Sequence, residues 1–151
     1  MPPTIYLDAD ACPVKDHVYR VGARYGVPVR VVSNTPLRLP SQPDLELVRV
    51  TGAVDAADDW IADHAGPDDI VLTADIPLAA RVLRSGAACL DFRGDAFNAN
   101  RIGDALASRD INAYLRSMGL PGSTPKPYSD RDKSRFASRL DALVRKHAKP
   151  S

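Results

Sequence analysis

Aspartate recurs in this chain where short apolar runs end. Ile5-Tyr6-Leu7 stops at Asp8-Ala9-Asp10, Ile70-Val71-Leu72-Thr73 stops at Ala74-Asp75, and Ala87 to Leu90 stops at Asp91. Asp55, Asp58 and Asp59 open a further stretch, helical in character, that runs to about His64. Carboxylates gathered in one place repel one another unless a cation compensates them. Hard oxygen ligands suit Mg²⁺ or Mn²⁺, and such an ion can activate water for hydrolysis. The metal-ligand candidates are therefore Asp8, Asp10, Asp55, Asp59, Asp75 and Asp91. Asp8, Asp10, Asp55 and Asp75 also stand where an aspartate caps a helix, so capping competes for any one of them. Convergence of the whole set is what favours a metal.

Convergence depends on the elements that carry these residues. The run Ile5 to Leu7, the acidic turn and Pro13 predict strand, loop and helix, because proline is favoured in a helix's first turn. Val14, Val18, Val21 and Tyr25 recur at helical spacing, and Gly26 with Pro28 closes that helix. Val29 to Val32 is a β-branched run, as in a strand buried on both faces of a parallel sheet. A Pro-rich polar loop, Thr35 to Pro43, leads to a strand or edge strand over Leu45 to Val50. Strand, acid, proline and helix repeat over Ile70 to Gly86, with Leu78, Val82 and Leu83 as the apolar positions. Alternating strands and helices with short connections predict an α/β fold with a mostly parallel central sheet. In such a sheet the loops after the strands share one edge, which is where ligands bind.

Beyond the sheet, Ile102, Leu106, Ile111, Tyr114 and Leu115 suggest a helical segment up to Gly119. The stretch 121–128 reads as a linker. Residues 129–151 read as a basic C-terminal helix packed on the domain 1–120. Ser129 and Asp132 form a capping box, and Phe136, Leu140 and Leu143 form an apolar stripe. From Lys126 onward there are eight Lys/Arg against three Asp, a local charge of +5, against −4 for the preceding body. A basic segment beside an acidic pocket suggests a polyanionic partner.

The 151 residues, 44% hydrophobic and 26% charged, support one hydrophobic core. No apolar run approaches the roughly 20 residues of a membrane-spanning helix. The N-terminal Met1-Pro2-Pro3-Thr4 has no basic region ahead of a long apolar stretch, so a cytoplasmic location without membrane attachment is expected. Cys12 and Cys89 lack Cys-x-x-Cys spacing and read as separate thiols. Cys12 beside acids makes a poor nucleophile, since a negative field raises a thiol pKa. His17, His64 and His147 have no ligand spacing, and Tyr19, Trp60 and Phe136 read as core or helix-contact residues.

Three strings, Asp8-Ala9-Asp10-Ala11-Cys12-Pro13-Val14-Lys15, Asp55-Ala56-Ala57-Asp58-Asp59-Trp60-Ile61 and Thr73-Ala74-Asp75-Ile76-Pro77-Leu78-Ala79, resemble the bacterial YaiI/YqxD family over nearly the whole chain. That family in turn is similar to PIN-like domains, metal-dependent ribonucleases of three layers with an acidic pocket. The resemblance implies an Asp ending the first strand, an acid on a middle helix and a Thr-x-Asp ending a later strand. Asp8, then Asp59 or Asp55, then Thr73 and Asp75 match those places, with Asp10 and Asp91 as further candidates. The middle-helix acid is Asp where the pattern often has Glu, and Asp58 competes for the place. Catalysis would then rest on Asp8, Asp59 and Asp75, with Mg²⁺ or Mn²⁺ as cofactor and RNA as partner. Lys15, Asn34, Arg38 and Thr73 are candidate substrate contacts, and Arg93 is a weaker one.

Two other readings are open. Aspartyl-nucleophile phosphatases also begin with Asp-x-Asp after a strand, but Cys12-Pro13 follows here and no cap region is visible. A nucleic-acid-binding module that keeps the pocket without turnover is the third.

Overall fold

The computed structural model describes residues 3–53, 55–122 and 126–148. Residues 123–125 of the expected linker, and 149–151 at the end of the expected C-terminal segment, lie outside the described residues. Five strands, β1 (Ile5–Asp8), β2 (Val29–Ser33), β3 (Leu45–Arg49), β4 (Ile70–Leu72) and β5 (Ala88–Leu90), form one sheet in the order β3-β2-β1-β4-β5. Every pairing between them is parallel. Five helices accompany them: α1 (Lys15–Tyr25), α2 (Ala56–His64), α3 (Ile76–Arg84), α4 (Ala99–Ser117) and α5 (Asp130–Ala148). The architecture is α/β in three layers, consistent with a PIN-like fold.

The layers follow from the two-residue period of the strands. Ile5, Leu7, Val29, Val31, Ile70 and Leu72 face a core completed by α1 and α5. Tyr6, Val32, Val71 and Cys89 face a second core completed by α2, α3 and the start of α4. From β1 the chain builds outward through β2 to β3, which lies at the sheet edge, and then returns to β4 and β5 on the other side. The direction of growth therefore reverses between β1 and β4, and their carboxyl ends border the crevice where open α/β sheets bind ligands.

Two helix starts obey the expected local chemistry. Asp75 caps α3, accepting the Leu78 N–H at 2.8 Å with Pro77 inside the first turn. Ser129 and Asp132 bond reciprocally at the start of α5, the Asp132 N–H to the hydroxyl and the Ser129 N–H to the carboxylate. Asp55 stands at the N-cap of α2 but makes no capping hydrogen bond. At the other end of α1, Gly26 takes the left-handed conformation that closes the helix.

The C-terminal helix packs on α1, with Phe136, Leu140 and Val144 fully buried and Leu143 partly so. Asp141 receives the Arg24 guanidinium at 2.8 Å and the Tyr25 hydroxyl at 2.9 Å. The expected apolar face of α4 is different: only Ile102 is buried, while Ile111 and Tyr114 are 59% and 63% exposed. Helical spacing located the helix correctly, but most of that stripe is not packed against the rest of the fold. Among the described residues no helix is long and apolar enough to cross a membrane.

Candidate acidic site at the carboxyl edge of the sheet

Asp8 is the last residue of β1 and is buried. β1 and β4 run in register as far as Leu7 and Leu72, so Asp8 and Thr73 stand side by side one residue later. The Thr73 hydroxyl donates to Asp8 Oδ2 at 2.7 Å and accepts the Asp75 N–H at 2.9 Å. Thr73 is thus the hinge between the two acids. It is fully buried, with its hydroxyl engaged on both sides, so the expected substrate contact is corrected to a positioning role.

The third acid comes from α2. Ala57 and Ile61 are its buried positions, and Asp58, three residues before Ile61, shares their side of the helix. Asp58 is half-buried; burial, then Asp75, Asp8 and Asp55, push its carboxyl up to about 6, opposed by Arg81. Asp8 is likewise raised by burial, and by Asp75 and Asp10, against the Thr73 hydrogen bond. Asp8, Asp58 and Asp75 therefore sense one another electrostatically. Asp55, Asp58, Asp59 and Asp75 border a cavity of about 360 Å³ that Arg81 and Arg109 also line.

The other candidates face elsewhere. Asp59 is exposed and forms an ion pair with Arg81 at 2.8 Å, whereas Asp58 is the α2 acid that feels Asp75 and Asp8. Asp55 is exposed at the cavity rim. Ala9–Ala11 forms one turn of 3₁₀ helix after β1, and Asp10 reaches to the end of β2. There it accepts the Asn34 N–H and the hydroxyls of Ser33 and Thr35. Slight burial pushes the Asp10 carboxyl up, but these donors outweigh it and hold the group below the usual range. Asp91 organises the turn after β5 by accepting the N–H groups of Arg93 and Asp95, and it is ion-paired with Arg101.

Lys15, at the start of α1, donates its ammonium to the Cys12 carbonyl at 2.9 Å. Asn34 and Arg38 are exposed in the loop after β2. Burial pushes the thiols of Cys12 and Cys89 up to about 11 and 12, so neither is poised for nucleophilic chemistry.

The site therefore contains two classes of acid. Asp59 and Asp91 have arginine partners, whereas among the described residues no ion pair is formed by Asp8, Asp58 or Asp75. Their hard oxygen donors, held in no ion pair, fit a divalent cation. Among the described residues no three carboxylates form a ready-made ion cage. An ion that keeps several waters and takes only one or two carboxylates, as Mg²⁺ does, fits such an open arrangement. Asp8 and Asp75 would be its nearest ligands, with Asp58 in support.

Residues 6–146 match the family described as "Uncharacterized BCR, YaiI/YqxD family". A UPF0178 protein of Caulobacter sp. (strain K31) is 53% identical over 140 residues, covering 93% of each chain. Similar proteins bearing the same name occur in Caulobacter vibrioides (strain NA1000 / CB15N), 50% identical over 93% of this chain and 92% of its own, and in Rhodopseudomonas palustris (strain BisB18), 48% identical over 96% and 94%. No solved structure matches. With the family model spanning nearly the whole length and relatives this similar end to end, the chain belongs to the YaiI/YqxD family.

Proposed function

We propose that this protein is a divalent-metal-dependent nuclease that hydrolyses RNA phosphodiester bonds at the Asp8–Asp58–Asp75 site. The observation that carries the reading is the set of three acids from β1, α2 and the β4–α3 turn, none of them in an ion pair among the described residues, at the switch point of a parallel sheet. A divalent ion held there would polarise a phosphoryl oxygen and lower the pKa of a water. The protein's own part is orientation. Thr73 fixes the Asp8 carboxylate through one oxygen, leaving the other for a ligand. Asp75 uses one oxygen to cap α3, which fixes its rotamer. Asp58, with its carboxyl near 6, is suited to exchange a proton with solvent close to neutrality. Lys15, Asn34 and Arg38, beyond the same strand ends, are the substrate contacts in this reading.

The aspartyl-phosphatase reading needs Asp10 as a proton donor facing Asp8. Asp10 is instead kept ionised by three donors at the end of β2, which weighs against it.

The test is incubation of the purified protein with Mn²⁺ or Mg²⁺ and single-stranded RNA, duplex RNA and p-nitrophenyl phosphate, beside Asp8→Asn and Asp75→Asn. RNA cleavage should require the metal. Each substitution should cost more than the roughly 10–100-fold typical of losing an outer-shell partner. Turnover of the small phosphoester alone would move the assignment to a phosphatase. Absence of any metal-dependent cleavage would remove the enzyme reading.

A further inference from the structure

The segment Ala74-Asp75-Ile76 divides two cavities: Asp75 lines the acidic one, whereas Ala74 and Ile76 line another of about 310 Å³. Pro13, Phe92 and Phe97 supply most of the remaining apolar lining of this second cavity, and Asp91, Arg93, Arg101 and Tyr128 supply its polar groups. Its volume lies at the low end of the roughly 300–1,000 Å³ of small-ligand pockets, which suits a single ring system.

The two arginines decide what kind of ring system. Arg101 donates through Nη1 to the carbonyls of Asp95 and Ala96, at 2.9 and 3.0 Å, and through Nη2 to Asp91. Its guanidinium lies 4.0 Å from the centroid of the Phe97 ring. Arg93 donates to Asp132 at 2.8 Å and to the Lys126 carbonyl, and its guanidinium lies 5.7 Å from the Tyr128 ring centroid. Hydrogen bonds to a guanidinium lie in its plane, so these contacts fix the planes and leave faces for stacking. Asp91 and Asp132 neutralise both charges. The cavity therefore offers flat, immobilised π surfaces rather than free positive charge. It fits a planar heterocycle and makes a poor trap for a phosphate.

We propose that this cavity is a nucleobase subsite, holding the base of a strand nucleotide whose phosphate lies at the neighbouring carboxylates. The destination of the phosphate rests on the nuclease reading; the preference for a planar base does not. A base can enter only after leaving its helix stack, so the substrate must be unpaired at that nucleotide.

Binding is measured first without metal, in EDTA, on the full chain. The probes are a single-stranded RNA pentamer, the same pentamer abasic at its central position, adenosine 5′-monophosphate and ribose 5-phosphate. Base-bearing probes should bind at least about tenfold more tightly than their baseless counterparts, in line with the stacking of one base on aromatic or arginine planes. The pentamer should bind more tightly than the mononucleotide. Ala105→Trp fills the cavity from α4, where Ala105 is half-buried, and should abolish the difference. Arg101→Lys keeps the charge but loses the plane and should reduce it. Equal binding of intact and abasic pentamers to the wild-type chain overturns the subsite whatever the variants do. Equal affinity for mononucleotide and pentamer overturns its assignment to a strand. A cleavage assay in Mn²⁺ separates the two readings. Base-dependent binding without cleavage removes the nuclease and keeps the subsite, whereas equally fast cleavage of both pentamers keeps the nuclease and removes the subsite.

Discussion

Replacing Asp58 by asparagine in the metal-free protein is expected to stabilise it above pH 6 and to have little electrostatic effect below pH 4. The native carboxyl is raised from 3.8 to about 6, so the folded state binds the proton more tightly than the unfolded chain does. Below 3.8 both states are protonated and the carboxyl carries no penalty. As pH rises through 6, the native group ionises against burial and its acidic neighbours, and stability is lost. A rise from 3.8 to about 6 corresponds to roughly 3 kcal/mol in a fully desolvated site. Asp58 is only half-buried, so solvent screening reduces this to on the order of 1 kcal/mol. For a chain of this length that is about 2–4 °C in Tm. The discriminating quantity is therefore the change with pH of the Tm difference, variant minus wild type, measured by scanning calorimetry from pH 4 to 8 in EDTA. It should rise by about 2–4 °C. Added Mn²⁺ should then raise the wild-type Tm more than the variant's, because a ligand stabilises in proportion to its affinity for the native state. A Tm difference that stays constant across this range would refute the claim that Asp58 ionises against Asp75 and Asp8.

Thr73→Val removes the hydroxyl that donates to the buried Asp8 and should destabilise the fold by about 1–3 kcal/mol in urea denaturation; an unchanged midpoint would show that solvent replaces it. Gly94 has φ 90°, and a Cβ there would lie 3.0 Å from the Arg135 backbone of α5, so Gly94→Ala should cost at least about 1–3 kcal/mol, read by the same method. The buried thiols of Cys12 and Cys89 should react with a disulfide reagent at pH 8 at least about a hundredfold more slowly in the native than in the denatured protein. Arg139→Glu with Lys146→Glu tests the basic tail without touching the Arg135–Asp95 ion pair; if both contact phosphates, the salt slope of single-stranded RNA binding should fall by about 1.4. An unchanged slope would limit α5 to a packing role.

Much of the framework was legible because it depends on short-range rules. The β-branched run of β2 and the short apolar runs of β1, β4 and β5 are what strands covered on both faces require. Asp75-x-Pro77 and Ser129 with Asp132 announce helix starts through interactions three residues long. Strand β3 was legible as a strand or edge strand from its polar alternation, Leu45-Glu46-Leu47, and it lies at the sheet edge. Helix α4 shows the limit of such rules. Its apolar residues recur at helical spacing, but burial also depends on whether another layer is present, and Leu106, Ile111 and Tyr114 are left exposed.

The acids divide along the same line. Position after a strand correctly places Asp8 and Asp75 at the carboxyl edge, yet it is silent about side-chain direction. One 3₁₀ turn after β1 is enough to send Asp10 to the end of β2 while Asp8 faces Thr73. The choice among Asp55, Asp58 and Asp59 had a readable signal in the phase of α2. Ile61 faces the core, three residues back is Asp58, and Asp59 is rotated by about a further 100° toward solvent. What no local pattern could reveal is neutralisation across the fold. Arg81 answers Asp59 from 22 residues away, and Arg101 answers Asp91 from α4. Removing those pairs leaves Asp8, Asp10, Asp55 and Asp75, of which Asp10 is taken up by donors at the end of β2 and Asp55 is exposed. This subtraction, rather than the number of aspartates, is the physical basis for choosing Asp8 and Asp75, with Asp58 replacing Asp59. The same arginine that takes Asp91 out of the acidic set stacks on Phe97, so one ion pair both limits the metal site and builds the wall of the cavity beside it.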